Sequence, residues 1–198
     1  QAETMMRDAY ACGADDAVIL SDRKFAGADV LATSYALAQG IQVIGGADLI
    51  ICGRQTTDGD TAQVGPSIAE HLAIPHAAWV AEVTDVTESS ITVRQDLVSV
   101  SQVSELPYPC LVTIDKDTCV PRLPSYRLKK ATADRPVRIL SFADMPDQDL
   151  SRYGLVGSPT SVEQMFAPKE AEKQVYIEGA SDEKASRLFA ILNENKII

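Results

Sequence analysis

Positive charge is scarce in this chain: 18 Lys and Arg stand against 28 Asp and Glu, a formal net charge of −10 over 198 residues. Neutralising nucleic-acid phosphates takes clustered Lys and Arg, so a nucleic-acid surface is excluded. Histidine is limited to His71 and His76, five apart around Pro75 with no third ligand in a recognisable spacing, which leaves no zinc site. The four cysteines, Cys12, Cys52, Cys110 and Cys119, make no Cys-x-x-Cys pair. They read as reduced thiols, two of them in apolar segments where Cys behaves as a small hydrophobe. No apolar run approaches membrane-spanning length and no signal-peptide pattern occurs, so the expectation is a soluble, cytoplasmic protein without a membrane partner. Gly-x-Ser-x-Gly, the P-loop and a Gly-x-Gly-x-x-Gly after a strand are all missing, which removes the usual supports for a hydrolase or phosphotransferase.

What is present begins with ordinary globular composition, 45% hydrophobic and 23% charged, which suits one domain plus an extension. Its most informative stretch is 48–66. Leu49 to Cys52 is a short apolar run of the kind buried on both faces in a parallel sheet. A polar loop follows from Gly53 to Val64, and Ile68, Ala69 and Leu72 then recur at helical spacing behind Pro66, which suits a first helical turn. A helix therefore starts near Gly65, and its first N–H groups favour a phosphate. Gly53, Gly59 and Gly65 let backbone approach a ligand. Gln55, Thr56, Thr57, Asp58, Asp60, Thr61 and Gln63 offer hydrogen bonds, whereas Arg54 alone offers positive charge. Two carboxylates beside a pyrophosphate would repel it. Asp58 and Asp60 are thus expected on ribose or ribityl hydroxyls, or on the loop's own N–H groups as Asx-turns, with phosphate left to backbone amides and Arg54. The plain alternative is a surface loop that uses Asp and Gly for turns.

Around this loop, Glu3 to Cys12 reads as a helix stopped by Gly13, Ala17 to Leu20 as a buried strand, and Asp29 to Ile41 as a helix. Thr33 and Ser34 fall in its first turns, near the sheet edge where open α/β folds bind ligands; otherwise they pack or bond back to helix carbonyls. Period-two patterns over Ala78–Thr84, Ile91–Gln95 and Leu97–Val103 predict an antiparallel excursion, and Cys110 to Ile114 returns to the sheet. Trp79 is expected to be a core residue. From Pro146 the alternation fades into an arm, ending in a helix from about Asp182 to Asn193 behind a Ser181 cap.

Residues 53–65, Gly-Arg-Gln-Thr-Thr-Asp-Gly-Asp-Thr-Ala-Gln-Val-Gly, resemble the signature loop of the electron-transfer flavoprotein β subunit. The resemblance runs on through Ala11-Cys12-Gly13-Ala14-Asp15, Pro109 to Thr113, Pro121 to Ser125, Gly157 to Thr160 and the closing Lys196-Ile197-Ile198. It implies an α/β fold with an open, mainly parallel sheet and helices on both faces, like the adenine-nucleotide alpha-hydrolases, with an antiparallel hairpin excursion and a C-terminal arm. It also implies two regions: a nucleotide-binding domain over 1–145, lacking the usual N-terminal segment, and an arm over 146–198 that packs on an α subunit. Gly53 to Val64, including Thr61 and Ala62, would hold an adenine nucleotide, with Ala2 at the edge of the pocket.

Two branches of the family differ in that nucleotide. It is AMP in housekeeping members; in electron-bifurcating members it is a second FAD that takes hydride from NADH. Ser21 to Ser34 resembles the bifurcating stretch beside the flavin ring, which implies contacts from Asp22, Asp29, Thr33 and Ser34, with Val30 in place of the usual Thr. FAD is therefore the favoured cofactor and AMP the alternative. The resemblance further implies that Pro124-Ser125-Tyr126-Arg127 is the recognition loop for acyl-CoA dehydrogenase-like partners, with Tyr126 as anchor, an aromatic of the kind that dominates interface hot spots. A solvated basic loop is the plainer reading of the same run. A stand-alone nucleotide sensor of the universal-stress type is a third reading, disfavoured by the arm.

Overall fold

A computed structural model describes residues 2–97, 99–166 and 176–197. Two compact units emerge, Gln1–Ser161 and Val162–Ile198. In the first, helix α1 (Ala2–Cys12) buries Tyr10 and Ala11 and ends at Gly13, whose φ of +109° suits a residue without a Cβ. Strand β1 (Val18–Leu20) leads to helix α2 (Val30–Val43), and β2 (Leu49–Gly53) to helix α3 (Val64–Leu72). Then come β3 (His76–Val86), β4 (Ser90–Leu97), β5 (Val100–Pro107) and β6 (Cys110–Ile114), followed by helix α4 (Tyr126–Ala131) and β7 (Arg138–Leu140).

The mixed α/β architecture has a parallel centre, but its strands form two sheets rather than the single one expected. One has the order β2-β6-β3-β4-β5 and the other pairs β1 with β7. β2, β6 and β3 run parallel, and β4 and β5 continue antiparallel beyond β3 as the expected excursion. Among the described residues β1 and β2 each keep one unpaired edge, so α2 carries the chain from one sheet to the other. The hairpin differs from its sequence outline too: β4 runs to Leu97 and β5 begins at Val100, because the pairing Leu97↔Val100 closes the turn inside the stretch expected as one strand.

Burial fixes the helices on these strands. Ile68 and Ala69 of α3 pack with Ala38 of α2 and Leu111 of β6, all 3% exposed or less. An isoleucine hidden this way contributes about 1.5–3 kcal/mol. Gly65 permits the closest approach: a Cβ there would lie 2.5 Å from Thr113 Cγ2. Consequently the start of α3 sits directly on the carboxyl end of β6. A second cluster joins Val80, Ile91, Val93, Leu106 and Val112 across the five-stranded sheet. A third gathers Tyr35, Leu140, Phe142, Met145 and Tyr153, so residues 146–161 pack with the first unit through Tyr153, which is fully buried. The Tyr153 hydroxyl donates to the Asp147 carbonyl at 2.6 Å, and burial pushes its pKa up to about 12.

In the second unit, helix α5 (Ser181–Glu194) begins one residue before the expected position. Ala180 takes the N-cap position in place of Ser181, because Glu183 reaches back to accept from the Ala180 N–H at 3.2 Å. Leu188 and Phe189 are exposed on it. Pro168, within the stretch expected as the arm, lies outside the described residues.

Candidate nucleotide site

The carboxyl ends of β2 and β6 are neighbours in a parallel pair, Gly53 opposite Ile114, and ligands of open α/β sheets collect at such ends. The loop leaving β2 is tied to β6 at once: the Arg54 N–H donates to the Ile114 carbonyl at 2.9 Å. It then folds on itself. Asp58 Oδ1 accepts from the Gly59 N–H at 2.8 Å, Gln55 Nε2 donates to Asp60 Oδ1 at 2.7 Å, and the Asp60 N–H donates to the Thr56 carbonyl at 3.2 Å. The hydroxyl of Thr56 and the Gly59 N–H hold the Asp58 carboxyl below the usual carboxylate range. Asp58 thus bonds to the loop's own backbone, one of the two roles anticipated for it, and Asp60 is partnered by a side chain. Asp60 and Ala62 adopt φ of 50° and 54°. Such angles are uncommon for a non-glycine residue, less so for Asp than for Ala.

Between the two strand ends lies a cavity of about 880 Å³, within the size range of small-molecule sites. One wall is Gly53, Arg54, Gln55, Thr56, Thr57 and Asp60; the other is Ile114, Asp115, Lys116, Asp117, Cys119 and Pro121. The space where a Gly53 side chain would stand is open. Gln63 precedes α3 without a capping side-chain bond, so the first N–H groups of that helix have no side-chain acceptor there. The walls present hydroxyls and amides, the apolar surfaces of Ile114 and Pro121, the Arg54 guanidinium and Lys116 as cations, and the carboxylates of Asp60, Asp115 and Asp117.

That guanidinium is not free. Arg54 Nη1 lies 2.6 Å from Asp115 Oδ2, and this pairing holds the Asp115 carboxyl below its ordinary range. The guanidinium carbon stands 4.5 Å over the Trp79 ring, and Nε is buried without a partner. Trp79, expected as core, is instead half-buried against this arginine.

Several expected site residues stand away from this cavity. Among its lining residues are none of Ala2, Asp22, Asp29, Thr33, Ser34, Asp58, Gly59, Thr61, Ala62, Gln63 and Val64. Asp22 accepts from the Lys24 and Phe142 N–H groups, which hold its carboxyl low. Asp29 caps α2 through the Ala32 N–H at 3.1 Å and accepts from the Thr160 N–H and hydroxyl at 3.1 and 2.8 Å. Burial raises its pKa, but these bonds outweigh it and the net direction is down. Ser34 is fully buried and donates to the Leu31 carbonyl at 3.0 Å, while Thr33 is half-buried on the same turn. The Ser125 N–H donates to the Ala11 carbonyl at 2.8 Å and its hydroxyl caps α4. Pro124, Ser125 and Arg127 flank Tyr126, which is 82% exposed.

A family model described as "Electron transfer flavoprotein domain" matches residues 1–145, the whole of both cavity walls. The chain belongs to the electron transfer flavoprotein family. It is 41% identical over 176 residues to the electron transfer flavoprotein subunit beta of Megasphaera elsdenii, covering 86% of this chain and 64% of that protein. It is 39% identical to the corresponding subunit of Thermoanaerobacterium thermosaccharolyticum, covering 100% of this chain and 75% of the relative. A further relative, 38% identical over all of this chain and 75% of its own length, is the caffeyl-CoA reductase-Etf complex subunit CarD of Acetobacterium woodii. The chain therefore spans about two thirds to three quarters of the length of these relatives.

Within this electron transfer flavoprotein chain, the wall formed by residues 114–121 was missed by sequence reasoning. A signal was available: Cys110 to Ile114 reads as a parallel strand, and the loop after such a strand shares the ligand edge with its neighbour's. Among the described residues no cluster of His, Cys, Asp or Glu is placed to hold a metal ion, and no helix is long and apolar enough to cross a membrane.

Proposed function

We propose that this chain is the β-type subunit of an electron transfer flavoprotein heterodimer and binds an adenine nucleotide in the cavity between the ends of β2 and β6. The observation that carries the reading is that the first part of the family's signature loop, Gly53 to Thr57 with Asp60, forms one wall of that cavity. Arg54 takes phosphate oxygens, Thr56 and Thr57 take polar atoms of the sugar or base, and Ile114 with Pro121 flank the ring. Asp58 acts from behind, its carboxylate fixing the loop through the Gly59 N–H. The fold is assigned to the adenine-nucleotide alpha-hydrolase-like class, with 1–145 as the nucleotide domain and 146–198 as the arm against the α subunit.

The favoured nucleotide is FAD, on the resemblance of Ser21 to Ser34 to bifurcating subunits, and the Acetobacterium relative, a caffeyl-CoA reductase complex subunit, agrees with a CoA-thioester partner. When bound, such a flavin supplies the hydride and one-electron chemistry; the residues named here bind and orient it. In this reading electrons pass from NADH through the β site to the α-subunit FAD and on to an acyl-CoA dehydrogenase-like partner, in the cytoplasm. AMP held structurally is the second reading. It is favoured by Ser34, whose hydroxyl is buried on the Leu31 carbonyl, and by Asp29, whose carboxylate is taken by Ala32 and Thr160.

The deciding experiment is to purify the full-length subunit with its α partner, denature the complex and identify what is released. Two FAD per heterodimer supports the favoured reading, whereas one FAD with one AMP refutes it in favour of the second. Asp58→Ala with Gln63→Ala should lower occupancy of the β-site nucleotide by tenfold or more. Unchanged occupancy would refute the assigned cavity.

A further inference from the structure

Trp79 occupies a conformation that bulky side chains avoid, with φ of +60°. It arises from a bulge: between the pairs Ala77↔Val112 and Val80↔Ile114, β3 advances three residues while β6 advances two. The displaced segment is braced on both sides. The Trp79 N–H donates to Thr113 Oγ1 at 3.1 Å, and Gln95 Nε2 donates to the Ala78 carbonyl at 2.7 Å. Beyond the bulge, the Asp115 N–H and the Thr118 hydroxyl both bond to the Val80 carbonyl, at 3.2 and 3.0 Å. Bulges re-aim side chains next to functional sites. Here the indole faces the Arg54 guanidinium at 4.5 Å, while Asp115 grips the same group at 2.6 Å. Arg54 is thereby held as a partition between the nucleotide cavity and a smaller one of about 400 Å³ that Trp79 lines.

We propose that Trp79 is a positioning residue for nucleotide binding: its ring holds the Arg54 guanidinium against the wall of the cavity, where it meets the ligand's phosphate. The inference rests on the adenine-nucleotide reading above. A long, flexible arginine left to itself samples many rotamers, and ordering it on binding opposes affinity. A ring face and a carboxylate acting together restrict it beforehand. The carboxylate fixes one end of the guanidinium fork and the ring fixes its plane, so neither substitutes for the other.

The test is a double-mutant cycle on the full-length subunit with its α partner, stripped of nucleotide, with AMP as the probe in calorimetric titrations. AMP is the moiety common to both candidate ligands. Trp79→Leu should weaken AMP binding about three- to tenfold, the range of a partly desolvated cation–π contact. Trp79→Tyr, which keeps a ring face, should restore most of it. In an Arg54→Met background Trp79→Leu should have no further effect, because the group it positions is gone. If Arg54→Met weakens binding but Trp79→Leu costs the same factor in both backgrounds, Trp79 acts only on the fold and the proposal is overturned. If Arg54→Met leaves AMP binding unchanged, the placement of the ligand against Arg54 fails, and the positioning role fails with it.

Discussion

Gly65→Ala probes the contact on which the site's geometry depends. In the first turn of α3 an added methyl would stand 2.5 Å from Thr113 Cγ2, with Cys52 Cβ and Leu111 Cδ2 next at 3.5 Å. Carbon atoms in good contact sit about 3.5–4.0 Å apart, so the helix start must retreat from β6 by roughly 1 Å. Overpacking of this kind costs about 1–3 kcal/mol, and the helical preference of Ala over Gly returns up to about 1 kcal/mol. The net expectation is destabilisation by about 1–2 kcal/mol, a loss of about 2–8 °C in thermal midpoint for a chain of this size. Thr113→Ser removes the offending methyl yet keeps the hydroxyl that accepts from the Trp79 N–H. By itself it vacates a buried position, Thr113 being 1% exposed, and costs about 1 kcal/mol. Combined, the two changes exchange one methyl for another in nearly the same space. The double variant should lie within about 0.5 kcal/mol of the parent rather than at the sum of the two losses. The assay is thermal unfolding by circular dichroism on the full-length subunit with its α partner, at fixed concentration because association shifts the midpoint. Retained nucleotide is measured in parallel and should fall only for the single Gly65→Ala variant. Gly65→Ala without effect, or a double variant as poor as the sum, would refute the packing of α3 on β6.

Two other outcomes follow from particular contacts. Asp29→Ala removes the α2 cap and both bonds from Thr160 and should cost about 1–2 kcal/mol, whereas Asp29→Asn keeps an acceptor for the Ala32 N–H and should cost less. Because the folded state lowers the Asp29 pKa, its ionised form is the stabilised one. That contribution is complete above the ordinary carboxylate pKa of about 4 and is lost as pH falls through the lower folded value. Melting temperatures followed down from pH 5 should thus decline more steeply for the parent than for Asp29→Asn, and parallel curves would count against this role. Tyr126→Ala, at an 82% exposed position, should change subunit stability by less than about 0.5 kcal/mol. It should slow electron transfer to an acyl-CoA dehydrogenase-type partner by about tenfold or more, read as the rate of dye reduction coupled through that partner; an unchanged rate would remove Tyr126 from the interface.

Local chemistry was legible in the sequence where the signal is local. The apolar run Leu49 to Cys52, the polar loop behind it and the helical spacing of Ile68, Ala69 and Leu72 announce strand, loop and helix, and they appear within a residue or two of the expected bounds as β2 and α3. Asp29 before an Ala-rich stretch and Gly13 after an apolar stripe mark a helix start and a helix end for the same reason, since capping depends on neighbours in the chain. The signature loop carried the family as well, because thirteen consecutive positions constrain one another without any knowledge of the fold.

What stands opposite that loop was decided only in three dimensions. Asp115 to Pro121 reach the cavity because β6, some sixty residues later in the chain, inserts between β2 and β3, and pairing order is a property of the assembled sheet. Trp79 passes for a core residue in sequence because nothing there marks the one-residue bulge that turns its ring onto Arg54. Ser34 and Asp29 bear hydroxyl and carboxylate groups fit for a ligand, but only packing reveals that helix α2 and Thr160 use them first. By itself the sequence determined which segments could form the elements and which loop carries the chemistry, since those depend on residues close along the chain. Partner choice among distant side chains was left to the tertiary structure, because it depends on which strands lie side by side.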